Sequence, residues 1–314
     1  MNLTNYYKER LNRNFRVLNC SHQDLDGAGS SIVVRNVFKN VEFVPLKYGD
    51  VNDFLKDLDY SKYDLVLLTD ISPESEEAFN YSDKIFLLDH HSSGVKYHKP
   101  EVGRICIEGK SACLLCKNFF ENLFNLDLSY LNELCEYINL YDMWIDDPKF
   151  PIAWCYNEIF FYLHFDSFIK RFKNGDTKFN DVEIKFILDR KKLLTKTYNE
   201  TNVYDLDSIK AGFFIGGMFL NDICHKLMHE KDYEVIMCVN AKSNSCSIRT
   251  KSETLHLGDM LQEIGLGGGH AQAGAFKLKE YDDVQEKIEK VEQYIFKNFP
   301  EIRRQKSLKV DNGF

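Results

Sequence analysis

The chain has 314 residues, 44% hydrophobic and 28% charged, an ordinary globular composition with length enough for two domains. Its formal net charge of −8 excludes a protein that coats long nucleic acid through a basic surface, but not one that grips a short nucleotide with a few local cations. No apolar run approaches the ~20 residues of a membrane-spanning helix, and the amino-terminal MNLTNYYKERLNRNF lacks the apolar core of a secretion signal. Nine cysteines, an odd count scattered mostly inside apolar runs, suit buried thiols rather than a disulfide framework. A cytoplasmic protein is expected. Cys113 and Cys116 form one CxxC, and without a second pair no structural zinc is expected there.

In chain order, residues 1–14 read as an N-terminal helix or arm. A strand is expected at 15–20, a helix at 27–39 and a strand at 41–46. Helical spacing follows at Val51, Phe54, Leu55 and Leu58. Strands at 64–69 and 85–89 flank a short helix around SPESEEAFN. Runs rich in Val, Ile, Leu and Phe read as buried parallel strands, and their alternation with helices implies βαβ units. From 109 to 172 the pattern turns helical and aromatic, completing the first domain against its sheet. FKNGDTKFN is a polar break, and 181–200 reads as one charged amphipathic helix.

A second α/β unit follows. Its strand candidates are IKAGFFIGGM, YEVIMCVNA and SCSIRT, then a helix LGDMLQEIG, a glycine-rich turn GLGGGH, a strand GAFKL, a helix at 282–297 and a loose tail KSLKVDNGF. The expected division is a domain at 1–180, a helical linker at 181–202 and a smaller domain at 203–314.

Acidic and histidine residues stand just after three hydrophobic runs. His22, Asp24 and Asp26 follow the first, Asp70 closes YDLVLLTD, and Asp89, His90 and His91 close KIFLLDHH. In open α/β sheets ligands bind beyond the carboxyl ends of the strands. Any one of these residues could be a helix cap or a turn residue, but three segments ending alike point to a site. In an extended stretch, a spacing of two aims His22, Asp24 and Asp26 the same way, with Gly27 turning into the following helix. So many carboxylates together call for divalent cations. Mixed His and Asp donors suit Mn²⁺, with Fe²⁺, Co²⁺ or Zn²⁺ as alternatives, and two ions ~3.5–4 Å apart can clamp a phosphoryl group and activate a water.

HQDLDG at 22–27, Asp70 and LLDHH at 87–91 resemble the first three motifs of the DHH phosphoesterase superfamily. Asp142 in NLYDMW resembles the fourth, with Asp146 and Asp147 nearby, and GLGGGHAQAGAF at 265–276 resembles the GGGH signature of the DHHA1 subgroup. The resemblance, from about residue 15 to about 297, implies an α/β fold with a parallel-sheet DHH catalytic domain, a smaller mixed α/β DHHA1 domain and a cleft between them. By the same resemblance His22, Asp24 and Asp70 would hold one ion. Asp26, Asp70, His90 and Asp142 would hold the other. Asp89 would orient His90, and His91 would contact the scissile phosphate or assist the leaving group. A metal-activated water would be the nucleophile, with no covalent enzyme intermediate.

The glycines at 267–269 let a ligand approach the backbone closely, with His270 at the lip of the turn. In the family this loop holds the nucleotide, and Arg249 resembles a residue that pairs with a substrate phosphate. Gly267, Gly268, Gly269, His270 and Arg249 are therefore the expected substrate contacts. Ser92, Ser93 and Gly94 are candidates for a phosphate-binding turn, and Arg104 and Lys110 for extra positive charge. His225 and His229 lack a third ligand and read as surface residues, and Phe160, Phe161 and Tyr162 as core. The expected protein is a manganese-dependent phosphodiesterase, close to the oligoribonuclease-like branch, that cuts short oligonucleotides or dinucleotides to mononucleotides. It would form no stable complex with long nucleic acid; a homodimer stays open. Rival readings are a cyclic-dinucleotide or nucleoside-phosphate phosphatase, a pyrophosphatase of the same superfamily, and a non-catalytic nucleotide-binding protein.

Overall fold

A computed structural model describes residues 3–240, 242–269, 271–279 and 283–304, with the side chains of 3–5 left aside. The chain divides into two compact units, Met1–Arg190 and Lys191–Phe314. Among the described residues, no helix is long and apolar enough to cross a membrane.

Unit 1 begins with α1 (Leu3–Arg10), β1 (Arg16–His22), α2 (Leu25–Val37), β2 (Asn40–Leu46) and α3 (Val51–Asp57). It continues with β3 (Leu65–Thr69), β4 (Ile85–Asp89), the single turn α4 (Ser92–Val95) and the short edge strand β5 (Arg104–Cys106). Then come α5 (Ala112–Phe124), α6 (Asn132–Asp142), α7 (Phe150–Phe172) and α8 (Asp181–Glu200). The five strands form a parallel sheet in the order β2-β1-β3-β4-β5. Every residue of β3 and β4 is buried, as expected of strands covered on both faces. On one face Leu18, Cys20, Val66, Leu68 and Leu87 pack with Val51 and Leu55 of α3.

The other face carries α2, which packs against α5, α6 and α7. Small residues let it sit so deep, and a Cβ on Gly29 would strike Ile138 and Cys113. Beneath α2 runs a buried polar ladder. Asn19 donates to Thr69 Oγ1 at 2.9 Å and accepts from Ser31 at 2.8 Å, and Ser21 donates to the Thr69 carbonyl at 2.9 Å. The ladder fixes β1, β3 and α2 against one another just below the strand ends.

Unit 2 opens with the last ten residues of α8. β6 (Val203–Asp205), β7 (Ala211–Gly216), α9 (Leu220–Glu230), β8 (Val235–Asn240) and β9 (Ser245–Thr250) come next. α10 (Leu257–Glu263), β10 (Gly267–Gly269), β11 (Ala273–Lys277) and α11 (Val284–Asn298) complete it. Its six-stranded sheet runs β10-β11-β9-β8-β7-β6, with only β7 and β8 parallel. α11 and α10 bury Val291, Ile295, Leu257 and Leu261 with Val235, Met237 and Ile248. The two-unit α/β architecture, one parallel sheet and one mixed, is the expected class.

Two differences have physical causes. GLGGG was expected as a turn, but Gly267–Gly269 pair with Phe276, Ala275 and Gly274 as an edge strand. Glycine carries no side-chain signal for a strand, and only the partner strand reveals one. Phe161 and Tyr162 were expected in the core and are exposed, whereas Phe160 is buried. The helix expected to bridge the domains at 181–200 is continuous, and the division between units falls inside it. Its first half is fixed to unit 1 by ion pairs of Glu183 with Arg171 and of Arg190 with Glu158.

Candidate metal centre

β1, β3 and β4 end side by side, and each delivers its polar residues to the same rim of the sheet. Among the described residues three ligand-type groups arise there, each with its donor atoms within 4.8 Å of one another. They are His22, Asp24 and Asp70; Asp26, His90 and Asp142; and Asp70, Asp89, His90 and His91. All six expected metal ligands are thus brought together, from β1, α2, β3, β4 and α6. Asp146 and Asp147 are not in these groups.

Asp24 caps α2, accepting from the Gly27 N–H at 3.0 Å, and its other oxygen meets His22 Nδ1 at 2.7 Å. Asp26 lies one step inside the helix. The extended run expected through all three residues therefore stops at Asp24, and the first helical turn swings Asp26 away toward His90. Asp26 accepts from Ala112 N at 2.6 Å and Cys113 N at 2.9 Å, the unsatisfied amides at the start of α5. Gly27 is needed for close approach rather than for a turn, since a Cβ there would run into the His22 carbonyl.

Asp70 has φ +61, a left-handed conformation uncommon outside glycine, held by its N–H on the Leu88 carbonyl at 3.1 Å. His90 Nε2 sits 3.2 Å from Asp70 and 3.6 Å from both Asp26 and Asp142. Asp142 is the last residue of α6, whose Asn139 accepts from Ser111 N at the start of α5 at 2.8 Å.

Asp89 was expected to orient the His90 ring, but its side chain serves His91. Asp89 Oδ1 bonds His91 Nδ1 at 2.8 Å and accepts the His90 main-chain N–H at 2.8 Å, while Ser72 donates to Oδ2. The carboxylate lies under the chain just as it turns past His90, so the ring within reach is the next one. Gly94 makes room for this, because a Cβ there would press on Ser72 and Asp89. Of the 92–94 segment expected as a phosphate-binding turn, Gly94 is buried in this packing, while Ser93 is exposed. Arg104 is drawn away from the rim to Glu76 at 3.0 Å and stacks on Phe79.

The ion-pair partners of these five carboxylates are histidines. Burial, then repulsion from Asp26 and Asp24, pushes Asp70 and Asp142 well above the usual carboxylate range. Burial also raises Asp26, with His90 working against it. Burial acts the same way on Asp24 and Asp89, but there the bonded histidines win, holding Asp24 low and Asp89 at about 2. Burial lowers His90, while Asp89 outweighs burial at His91 and raises it. One oxygen each of Asp70 and Asp142 is buried without a hydrogen-bond partner. Orphaned buried oxygens beside mutually repelling carboxylates are what a divalent cation relieves, so the donor set fits the implied metal.

A residue not anticipated, Tyr48, joins the rim from the loop after β2. Its hydroxyl lies 2.6 Å from His91 Nε2 and its ring 4.5 Å from that of His22. The available signal was its place beyond the end of a strand, which had been read only for β1, β3 and β4.

In unit 2, Arg249 lies on β9 and donates to Asn221 Oδ1 at 2.8 Å. Gly267 and Gly269 leave no room for a side chain against the carbonyls of Ala275 and Ala273, whereas Gly268 is open, with Gln262 the nearest group at 3.6 Å. His270 lies outside the described residues. His225 and His229 meet at 3.0 Å on an exposed face of α9. All nine cysteines are buried, and no disulfide joins them among the described residues.

Residues 219–297 match the DHHA1 domain. The chain is 24% identical over 304 residues to oligoribonuclease NrnB of Bacillus subtilis, spanning 83% of this chain and 72% of that protein. Its fold is similar to that of PggH, a pGpG-specific phosphodiesterase from Vibrio cholerae, with TM-score 0.55, 14% identity and coverage of 91% and 99% of the two chains. It is also similar to RecJ of Thermus thermophilus in complex with Mn²⁺, with TM-score 0.58 and 12% identity, covering 93% of this chain and 54% of that one. With the five motifs in order on this two-unit fold, the chain carries a DHHA1 domain and resembles the DHH/DHHA1 phosphoesterases.

Proposed function

We propose that the chain is a manganese-dependent phosphodiesterase that hydrolyses short oligonucleotides or dinucleotides to mononucleotides. The observation that carries this reading is the convergence of His22, Asp24, Asp26, Asp70, His90 and Asp142 on one rim, with one buried oxygen each of Asp70 and Asp142 lacking a hydrogen bond. His22, Asp24 and Asp70 would hold one ion, and Asp26, Asp70, His90 and Asp142 the other. Bound there, the ions would supply an activated water and offset charge on the phosphoryl group. The mixed nitrogen and oxygen donors favour Mn²⁺, the ion named for the RecJ complex.

The rest is work for the chain's own side chains. Asp89 holds the His91 ring by Nδ1, so that His91 can face the scissile phosphate or the leaving oxygen. The α5 amides hold the Asp26 carboxylate in place for its task. Arg249, the Gly267–Gly269 strand and His270 would bind the substrate. The substrate class rests on the activity named for NrnB and the pGpG specificity named for PggH, and the net charge of −8 also favours short substrates. Buried thiols outside any disulfide fit a reducing cytoplasm.

The test is a Mn²⁺ substrate panel of pApA, pGpG, cyclic di-AMP, five-nucleotide RNA and DNA, 3′-phosphoadenosine 5′-phosphate and pyrophosphate. A linear dinucleotide should turn over fastest. Pyrophosphate turnover beside inert dinucleotides would overturn the reading.

A further inference from the structure

We propose that Tyr48 is a positioning residue that acts through His91, an inference that rests on the phosphodiesterase reading above. His91 is gripped at both ring nitrogens. Asp89 holds Nδ1 at 2.8 Å, and the Tyr48 hydroxyl meets Nε2 at 2.6 Å. Asp89 in turn accepts from Ser72, which makes a continuous line from the segment after β3 to the surface, Ser72–Asp89–His91–Tyr48. A ring held at one nitrogen can still swing about that bond; the Tyr48 hydroxyl holds Nε2 in line until a substrate oxygen takes its place there. Preorganisation of this kind is what a group poised on a reacting atom needs.

Tyr48 is half-exposed, and an exposed tyrosine would ordinarily wander among rotamers. Its loop is instead pinned from the far side. Glu74, four residues beyond Asp70, accepts from Gly49 N at 2.8 Å with one carboxylate oxygen and from Asn52 N at 3.0 Å with the other. Asn52 returns the contact by accepting from Glu74 N at 3.0 Å. The Tyr48 ring also leans on His22, with centroids 4.5 Å apart, and meets His91 edge-on at 5.5 Å. One aromatic side chain therefore spans a candidate metal ligand and the candidate phosphate-facing histidine. It reaches them from a loop that carries none of the recognised motifs.

The test is Tyr48→Phe, which keeps the ring and removes the hydroxyl. In the wild type, a dinucleotide and a nucleoside 5′-p-nitrophenyl phosphate, whose leaving group needs little help, are compared under Mn²⁺. Tyr48→Phe should lower kcat on the dinucleotide by about tenfold to a hundredfold, the worth of one hydrogen bond to an ionisable group. KM and calorimetric Mn²⁺ binding should stay within about twofold, and the p-nitrophenyl ester should be nearly spared. In a His91→Ala background the same substitution should cost nothing further, because a residue acting through another is non-additive with it. Nitrogen NMR of the metal-free protein should show the His91 ring signals moving in Tyr48→Phe.

Unchanged kcat on the dinucleotide, an equal loss in the His91→Ala background, or a collapse of Mn²⁺ binding would each overturn the assignment. A wild type inert towards every phosphodiester would instead bring down the functional reading itself, and the two failures are told apart by the wild-type rate.

Discussion

The two sheets solve different problems. In unit 1 the rim is built of side chains, each fixed by something behind it. His22 lies against Asp24, Asp26 against the α5 amides, and His91 against Asp89 and Tyr48. Below them the Asn19–Thr69–Ser31 ladder holds the strands in step. In unit 2 the candidate contact surface is mostly backbone. It is a glycine edge strand beside one arginine that lies on the carboxamide of Asn221, over a core made of Val, Ile, Leu and Met. The contrast is between a rigid electrostatic cage, costly to assemble without counter-ions, and an open edge that can adapt to a ligand. Damage to the first should show in chemistry and stability, and damage to the second in binding.

The strongest way to break the comparison is Asp70→Asn. It keeps the shape but removes the charge shared by two of the ligand groups. Dinucleotide turnover should fall by on the order of a thousandfold, beyond the ~10- to 100-fold typical of groups that merely support ligands, and calorimetry should show divalent binding gone. Retention of a tenth of the activity would mean that the cage is not the reacting centre.

Gly27→Ala comes next. The new methyl meets a backbone carbonyl, which cannot move aside as a side chain can. A loss of about 3 kcal/mol in chemical denaturation is expected, at the upper end for overpacking. Gly49→Ala is the contrast: open space surrounds it but its φ is +94, so a smaller loss of about 1 kcal/mol is expected from backbone conformation alone.

The cage should also reveal itself through pH. Asp70, Asp142 and Asp26 are raised in the folded chain. Their contribution to the stability of the metal-free protein is present below the unfolded carboxylate value and lost as pH rises through the folded one. Divalent ions require the ionised forms and so restore stability at higher pH. The gain in stability on adding Mn²⁺ to chelator-treated protein should therefore grow from pH 5.5 to pH 7.5, by about 1.4 kcal/mol per pH unit for each proton released. Hydrogen exchange should place the added protection in β1, β3 and α2, with β10 and β11 little changed. A gain independent of pH would mean that the ions bind elsewhere.

Much of unit 1 was legible in the sequence because its central strands β3 and β4 are buried on both faces. Such strands are unbroken apolar runs, so the first polar residue after each marks the rim. The division of labour within HQDLDG was not legible. A strand end and a helix cap both place residues two apart, and only the start of α2 at Leu25 sends Asp24 and Asp26 to different partners. Nor could the sequence decide whether Asp89 would reach the ring of His90 or of His91, since that turns on one peptide's rotation. β5 escaped notice because three residues at a sheet edge carry too little pattern, and β10 because glycine carries none. Tyr48 lay hidden in a loop whose fixed point, Glu74, is 26 residues further on.

The smallest expected effect sharpens the comparison most. Arg249 holds a planar fork at the surface of β9, and Asn221 on α9 accepts one of its N–H groups. A substrate phosphate would replace a neutral carboxamide oxygen with a charged one, a gain worth roughly tenfold in binding. Arg249→Ala should therefore raise KM for a dinucleotide about tenfold and leave kcat within about twofold. Arg249→Lys should recover only part of the loss, because an ammonium cannot bond in the bidentate manner. Asn221→Ala should go the other way or stay neutral, freeing the fork from a competitor. If Arg249→Ala lowers kcat as deeply as a cage substitution, the second unit takes part in the chemistry, and the division between a reacting rim and a binding edge has to be given up.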